Sequence, residues 1–501
     1  MKTLGSVRQF AAGCVAASAL AFPVPATADT SRLGDVSLDI SCKDDARPSF
    51  ETGLLLLHHM MYREAAAAFE EAAHADPQCA MAQWGIAMSK FHPLWPGGPT
   101  PEETEAGHAA AIALGDMNTG SALEAEFTQA VMAFYAGDDV PYRARLTAWA
   151  TAQRAVEESF PDHDEAVAFG ALAQLTLAPR GPEAVPELSD AGARMDRLRA
   201  RSPLHPAGYH YAIHAYDHPA LAERGLEPAR SYLDIAPQNP HALHMPTHIF
   251  TRLGLAAESS ELNRQSAAAV IAQSGPDVLS GHYIHALDYA IYAELQKGNV
   301  DEAEDLLAAL EGHANHENVF GTAYAAAAAP SRLPLEQDDW QAAAALPTQM
   351  HPAVSWERYP QAVAIRWFAI GLGAARSGDT ATAQAALSEL SELRQVMEER
   401  KANYWLMLLS AQTGAIEAWL ALANGDAETA IALMRDAADI EDKVGKAPVT
   451  PGHVLPAREL YGDLLLEVGD KAAAEDAYLA ALGTSPNRRR SLQGLQRATA
   501  N

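Results

Sequence analysis

The sequence predicts an all-α protein built as an α-α superhelix, and three features of the chain carry that prediction. Alanine is abundant, and apolar residues recur every three or four positions, the period of one helix face. Alternation of β-branched and polar residues, which marks a half-buried strand, is absent. A chain of 501 residues is also too long for one compact core. We therefore expect a stack of similar helical units.

Residues 1–28 have the layout of a secretory signal peptide. Lys2 and Arg8 supply positive charge, residues 10–24 form an apolar stretch, and the small residues 26–28 suit signal peptidase. The rival interpretation is a membrane anchor, but prolines interrupt the stretch before the roughly 20 residues that a span needs. We expect a periplasmic or secreted protein in which no later segment spans a membrane.

Charge and cysteine content narrow the function classes. The formal net charge of −28 repels phosphate backbones and anionic lipid, so nucleic acid is excluded as a partner. Cleavage of the signal leaves Cys42 and Cys79, which export would place in an oxidising compartment. A Cys42–Cys79 disulfide is predicted, with two buried thiols as the alternative. The absence of a Cys-x-x-Cys pair argues against a thioredoxin-like or zinc-ribbon site.

Two segments near the ends of the chain share one pattern of small residues, an aromatic and a proline. The C-terminal copy consists of Gly462, Leu465, Gly469, Ala474, Tyr478, Ala481 and Pro486. The N-terminal copy consists of Gly53, Tyr62, Ala65, Phe69, Ala72 and Pro77. Weaker copies have turn glycines at Gly254, Gly298, Gly378 and Gly425. Small residues let two antiparallel helices approach, a turn glycine tolerates positive φ, and the proline ends the second helix.

This pattern resembles the tetratricopeptide repeat, over about two thirds of the mature chain, and suggests a secreted bacterial member of unclear activity. The resemblance implies a solenoid of antiparallel helix pairs whose concave face serves as a binding surface; it implies no activity. We divide the mature chain into N-terminal helical repeats (29–200), a central histidine-rich part (201–300) and C-terminal repeats (301–501). Interruptions of the helical pattern are expected at 92–99, 179–186, 323–334, 351–360 and 448–456.

Histidines concentrate in the central part at helical spacing. The candidate metal ligands are His210, His214, His241, His244, His248, His285 and Asp288, with His282 beside them. Residues three or four apart share one helix face. The repeat register makes His241 equivalent to His285, and His244 equivalent to Asp288, on neighbouring helices. We therefore predict that three neighbouring helices direct these groups at a common ion. The alternatives are a proton-sensitive polar groove and a histidine-lined pocket for an organic anion.

Neutral imidazole and carboxylate suit a transition metal, with copper or zinc favoured and iron possible. Asp217, Tyr211 and Tyr283 are predicted to orient the imidazoles. Met245 is either a soft ligand or core packing. Aromatic loops around Trp95 and Trp356 are expected to shape a pocket.

Two functions follow from these features. The first is an exported metalloenzyme, an oxidoreductase or hydrolase, whose groove binds a small molecule or a peptide. The alternative is a non-catalytic periplasmic scaffold for peptides or proteins, in which the histidines supply groove polarity or bind a structural metal. A third hypothesis is a metal carrier, but a carrier of copper(I) needs more methionine or cysteine near the site than the sequence provides.

Overall fold

The computed structural model describes residues 33–95, 98–137, 140–274 and 278–500, so the predicted signal peptide lies outside the described residues. Within these ranges the chain folds into α-helices joined by short loops and 3-10 turns, and it contains no β-strand. The predicted all-α class is confirmed. The division at residues 200 and 300 stays a prediction.

The helices follow one another in a continuous series. The first twelve are α1 (Arg47–His58), α2 (Tyr62–Ala75), α3 (Ala80–Met88), α4 (Pro101–Gly115), α5 (Ala122–Tyr135), α6 (Tyr142–Ser159), α7 (Asp164–Leu177), α8 (Val185–Arg201), α9 (Pro206–Tyr216), α10 (Leu226–Ile235), α11 (Pro240–His244) and α12 (Pro246–Arg252). The next twelve are α13 (Ala256–Gln273), α14 (Gly281–Lys297), α15 (Val300–Gly312), α16 (Phe320–Glu336), α17 (Trp340–Ala344), α18 (Pro360–Ser377), α19 (Thr380–Glu399), α20 (Asn403–Ala423), α21 (Ala427–Val444), α22 (Ala457–Glu467), α23 (Lys471–Thr484) and α24 (Arg489–Thr499).

The turn glycines of the predicted repeats adopt the backbone conformation that the pattern requires. Gly254, Gly298, Gly378, Gly425 and Gly469 have φ of 69°, 81°, 83°, 84° and 86°. A residue with a β-carbon is strained at these angles, whereas glycine is not. The small residue five positions after each of these glycines is buried, so the second helix of each pair lies close against the first. The chain is a tetratricopeptide-like solenoid.

Aromatic rings fill the space between the helices of the two terminal repeats. Phe69 on α2 lies against Gly53 and Gly85, and a β-carbon at either glycine would overlap its ring. Tyr478 on α23 contacts Gly462 in the same way. Glycine at these positions lets large buried rings lie directly on a neighbouring backbone, which explains the pairing of glycine and aromatic in the repeat pattern.

The interruption predicted at 323–334 is wrong. Helix α16 continues through Pro330 and Pro334. Each proline removes one backbone donor, but almost every residue of α16 is buried, and the helix packs between α14 and α18. Tertiary packing here outweighs the two missing hydrogen bonds.

Helix α20 is more apolar than the sequence analysis allowed. Among the described helices, Asn403–Ala423 meets the length and hydropathy criteria for a membrane span. It packs against α18, α19 and α21 as a repeat helix. Length and composition by themselves do not distinguish these two roles.

A segment between α21 and α22 connects distant parts of the solenoid. Residues 445–456 contain no regular helix and reach α9 and α14. Lys446 Nζ lies 2.9 Å from Asp217 Oδ2, and the Tyr289 hydroxyl donates to the Thr450 carbonyl oxygen at 2.9 Å. The predicted non-helical stretch 448–456 therefore closes over the histidine-rich helices.

Cys42 and Cys79 are joined by a disulfide with an S–S distance of 1.95 Å. Cys79 is the residue that precedes α3, and its sulfur accepts a hydrogen bond from the Ala82 amide. The bond ties the segment before α1 to the start of α3.

Candidate metal centre

Two sets of three imidazoles lie side by side in the central repeats. Helix α9 carries two of the histidines, α11 and α12 carry three, and α14 carries one. Set A consists of His210, His214 and His241, and set B of His244, His248 and His285. Within each set, one ring nitrogen from every residue lies within 4.8 Å of the others. The structure thus brings the predicted histidines together, but as two adjacent groups instead of one.

The contacts between helices differ from the predicted register. The ring centroids of His244 and His285 are 4.4 Å apart, and those of His241 and His282 are 4.7 Å apart. The equivalence of His241 with His285, and of His244 with Asp288, is therefore wrong by one helical turn. Proline at 246 separates α11 from α12, so the helix that carries His241 is not the uninterrupted first helix of an ideal repeat.

In set A, hydrogen bonding leaves several ring nitrogens free to bind a ligand. His210 Nδ1 donates to the backbone carbonyl of His58 at 2.6 Å, which leaves a lone pair on Nε2. That Nε2, the Nε2 of His214 and both ring nitrogens of His241 are buried and have no hydrogen-bond partner among the described residues. Buried polar atoms without partners are rare in folded proteins and point to an ion or ligand.

In set B, two lone pairs face each other directly. His244 Nδ1 donates to Asn263 Oδ1 at 2.7 Å, and the amide orientation is fixed because Asn263 Nδ2 donates to Ser259 O. His248 Nδ1 donates to Asp217 Oδ2 at 3.0 Å. With both Nδ1 atoms protonated, the two Nε2 atoms are acceptors, yet they lie 3.0 Å apart. A cation bound by both nitrogens would resolve this contact.

Burial keeps the rings in the ligating, neutral form. Desolvation, reinforced by the neighbouring imidazoles, lowers the pKa of His210, His241, His244 and His285 well below its usual value. The same cause lowers the pKa of His214 to about 3. Neutral imidazole is the form that coordinates metals, so neither set must lose protons to bind one near neutral pH.

Asp217 lies where an orienting group is expected. Its side chain is 4% exposed and contacts His248, Arg252 and Lys446. Burial alone would raise the pKa of Asp217, but Lys446, Arg252 and the hydrogen bond from His248 hold it well below its usual value. An ionised carboxylate therefore fixes the tautomer of His248, as outer-sphere carboxylates do for metal-bound histidines.

Other residues predicted for the site lie outside the two sets. The Asp288 carboxylate pairs with Arg332, and burial raises its pKa to about 6 despite that cation. The Tyr211 hydroxyl contacts His58 Nδ1 at 3.0 Å, and the Tyr283 ring stacks on His316. Met245 belongs to the apolar core, so we leave it out of the proposed ligand set.

A third group, which the sequence analysis did not identify, surrounds a buried carboxylate. Glu165 accepts hydrogen bonds from His58 Nε2 at 2.7 Å and from His205 Nε2 at 3.1 Å. The remaining ring nitrogens contact the Tyr211 hydroxyl and the Ala207 amide. Because every ring nitrogen has a partner, this group is a weaker candidate for a metal site than sets A and B. We infer that it supports α9 and the His58 carbonyl behind set A.

A partly enclosed cavity of about 1420 Å³ adjoins the imidazole sets. His214 and Asp217 line one part of it, and Trp95 lines another, as expected. Trp356 does not line it; the indole N–H donates to His351 O at 3.0 Å, and the ring packs on a separate apolar cluster. Arg358 and Tyr359 of the same loop do line the cavity, so both predicted aromatic loops contribute to it, the second through Tyr359 instead of Trp356.

Comparisons with known proteins add little to this description. No protein-family model matches the sequence, and no curated protein matches it. The chain is similar to the APC/C hetero-tetramer Cut9–Hcn1, at 12% identity over 92% of this chain and 77% of that one, with a TM-score of 0.39. It is similar to yeast Tom70 at 11% identity over 91% and 88%, with a TM-score of 0.33. It is similar to Naa15/Naa10 bound to HypK-THB at 11% identity, over 86% of this chain and 62% of that one, with a TM-score of 0.24. The chain therefore spans less than two thirds of that protein. We draw no conclusion about function from similarities at these TM-scores, and the fold assignment rests on the helix pairs of this chain.

Proposed function

We propose that this protein is an exported metalloprotein that binds one transition-metal ion at each imidazole set. The observation that carries the proposal is the pair of Nε2 atoms of His244 and His248, two acceptors 3.0 Å apart in a buried site. Without a cation the two lone pairs repel each other, which destabilises the folded state because both atoms are buried away from water. The unpartnered nitrogens of His210 and His241 support the same interpretation for set A.

The donor set favours copper or zinc, with iron as a weaker candidate. Each set offers three neutral nitrogens, and no carboxylate lies among the described members of either set. Imidazole suits copper, zinc and iron, whereas magnesium and calcium prefer oxygen ligands. Three protein ligands leave a coordination position open, which catalytic sites require and closed structural sites lack. We therefore favour a catalytic oxidoreductase or hydrolase over a structural metal.

We also propose that the protein is exported to the periplasm or secreted. The N-terminal charge and apolar pattern support this localisation. The Cys42–Cys79 disulfide is consistent with it, because such bonds persist mainly in oxidising compartments. Cell fractionation of a C-terminally tagged protein tests it, and N-terminal sequencing shows whether the mature chain begins near residue 29.

The metal proposal is tested by titrating the untagged, chelator-treated protein with Cu²⁺ and with Zn²⁺ and counting tightly bound equivalents. We expect about two equivalents for the natural protein and about one for each of the variants His210→Gln and His244→Gln. His74→Gln, at an exposed position outside both sets, is the matched control and keeps both equivalents.

Two outcomes would contradict the proposal. One is a protein that stays folded and binds neither ion; peptide binding by that protein would favour the scaffold alternative. The other is an unchanged stoichiometry in both set variants, which would place the metal elsewhere. Metal that exchanges freely with a weak chelator would favour a carrier. A metal-dependent turnover that both set variants lose would establish the enzyme.

A further inference from the structure

The cavity beside the imidazoles is cationic although the chain as a whole is strongly acidic. Nine basic side chains and three acidic ones line it, against a formal net charge of −28 for the sequence. Three of the cations, Arg252, Lys446 and Arg458, are paired with carboxylates of the lining itself. Five others have no carboxylate within ion-pair distance in the part of the chain that the structure describes: Arg143, Arg180, Arg358, Arg400 and Lys401.

Cationic side chains also lie between this wall of the cavity and the imidazole sets. Arg143 and Arg180 both line the cavity and are close enough to interact as like charges. Arg180 in turn acts on Lys446, whose pKa burial and the neighbouring guanidinium groups lower to about 8. Lys446 contacts Asp217, which contacts His248 of set B. The row of cations thus ends at the Asp217 carboxylate, which lies between Lys446 and His248 of set B.

Four of the five unpaired cations, including Arg143 and Arg180, are exposed to solvent at the cavity wall. A concave surface lined by unpaired cations attracts an anion to it. The sequence has 64 acidic residues, yet only three of them line this cavity. Aromatic side chains lie among the cations: Arg180 stands over the Tyr404 ring at 5.4 Å, and Tyr142 and Trp405 also line the cavity. Guanidinium groups with adjacent rings suit a ligand that has both a negative head group and a flat apolar body.

We infer that the cavity binds a small organic anion with an aromatic or otherwise apolar body, whose carboxylate, sulfonate or phosphate group is held by Arg143 and Arg180. A cavity of about 1420 Å³ accommodates such a molecule. His214 lines the same cavity, so a ligand held there lies next to the imidazole sets. That the anion is the substrate of the metal centre rests on the proposed function, whereas its binding does not.

The test uses chelator-treated protein and two fluorescent probes that share one aromatic body. The anionic probe is 8-anilinonaphthalene-1-sulfonate, and the neutral probe is N-phenyl-1-naphthylamine. We expect the natural protein to bind the anionic probe more tightly. In Arg143→Gln/Arg180→Gln we expect the affinity for the anionic probe to fall by about tenfold or more, since each lost charge-assisted contact removes roughly that factor, with little change for the neutral probe. The control is Arg154→Gln, the same charge change at an exposed position of α6.

Because the double variant could fail to fold, Arg180→Lys is measured as well; it keeps the charge and should stay within about threefold of the natural protein. The inference is overturned if the natural protein binds the two probes equally, or if Arg154→Gln weakens binding of the anionic probe as much as the double variant does. The assignment to these arginines is overturned if Arg143→Gln/Arg180→Gln binds neither probe and Arg180→Lys also fails to bind the anionic probe. The absence of metal from the assay makes its result independent of the metal proposal.

Discussion

Asp217 connects the stability of the fold to the proposed metal centre, and the substitution Asp217→Ala separates the two roles. The carboxylate accepts from His248 Nδ1 at 3.0 Å, from Arg252 Nε at 2.8 Å and from Lys446 Nζ at 2.9 Å. Its removal leaves Lys446 buried without a counter-ion. Breaking a buried ion pair by deleting one partner costs about 3–5 kcal/mol, so we expect a loss of that size in the free energy of unfolding.

The same substitution should weaken metal binding at set B. Without the carboxylate, His248 keeps only the 3.3 Å contact between Nδ1 and the Tyr289 hydroxyl to fix its tautomer. Loss of an outer-sphere partner lowers metal affinity about 10- to 100-fold, or roughly 1.4–2.7 kcal/mol. Competition titration with a chromophoric chelator measures this affinity, and chemical denaturation of the metal-free protein measures the stability.

The double variant Asp217→Ala/Lys446→Met tells whether the two losses are independent. Replacing Lys446, which has no counter-ion in Asp217→Ala, should restore part of the free energy of unfolding. The metal affinity should stay low, because His248 still lacks its acceptor. If the affinity recovers together with the stability, or never falls in Asp217→Ala, then Asp217 only balances charge and the role assigned to it in orienting His248 is wrong.

Three further substitutions test the fold and its titration. Burial raises the pKa of Glu441 to about 8 from an ordinary 4.5. The folded state therefore binds more protons than the unfolded state, and the stability of the natural protein falls as pH rises from 4.5 to 8. Glu441→Gln should remove about 5 kcal/mol of that fall, and identical pH profiles in denaturation experiments would refute the assignment. Cys79→Ser removes a disulfide between residues that are 37 apart in sequence, and it should lower the free energy of unfolding by about 4 kcal/mol relative to the oxidised natural protein. The difference should disappear when the natural protein and the variant are both reduced before the measurement. Gly85→Ala should lower the free energy of unfolding by about 1–3 kcal/mol, because the new methyl group overlaps the Phe69 ring. Gly483→Ala has no atom within 4 Å of the new methyl group and should be neutral or stabilising. Equal effects of the two substitutions on the melting temperature would contradict the packing argument.

The repeat pattern allowed the fold to be predicted because its signals are local. A turn glycine such as Gly298 and an aromatic such as Tyr478 report on contacts within one helix pair, and their spacing is fixed by that pair. The prolines of α16 misled the prediction for the opposite reason. Whether a helix tolerates Pro330 depends on how deeply it is buried by helices that are distant in sequence.

The candidate site was predictable in its members but not in its arrangement. Helical spacing identified the six imidazoles, since an interval of four residues, such as that between His210 and His214 on α9, places both side chains on the same face of one helix. Their division into two sets depends on how α14 is shifted against α11, which sequence spacing does not encode. The partners Asn263 and Glu165 come from other helices, and nothing in their local sequence marks them as neighbours of a histidine. The pairing of Asp288 with Arg332 was hidden for the same reason.

The most direct measurement is a crystal structure of the metal-loaded protein with anomalous difference maps recorded on both sides of the absorption edge of the bound metal. The account predicts two peaks, one among His210, His214 and His241 and one among His244, His248 and His285. It also predicts that the second peak disappears in His244→Gln while the first remains. A loaded protein that shows no peak at either set, or a single peak at Glu165 or on the surface, would contradict the claim that these imidazoles form a metal centre.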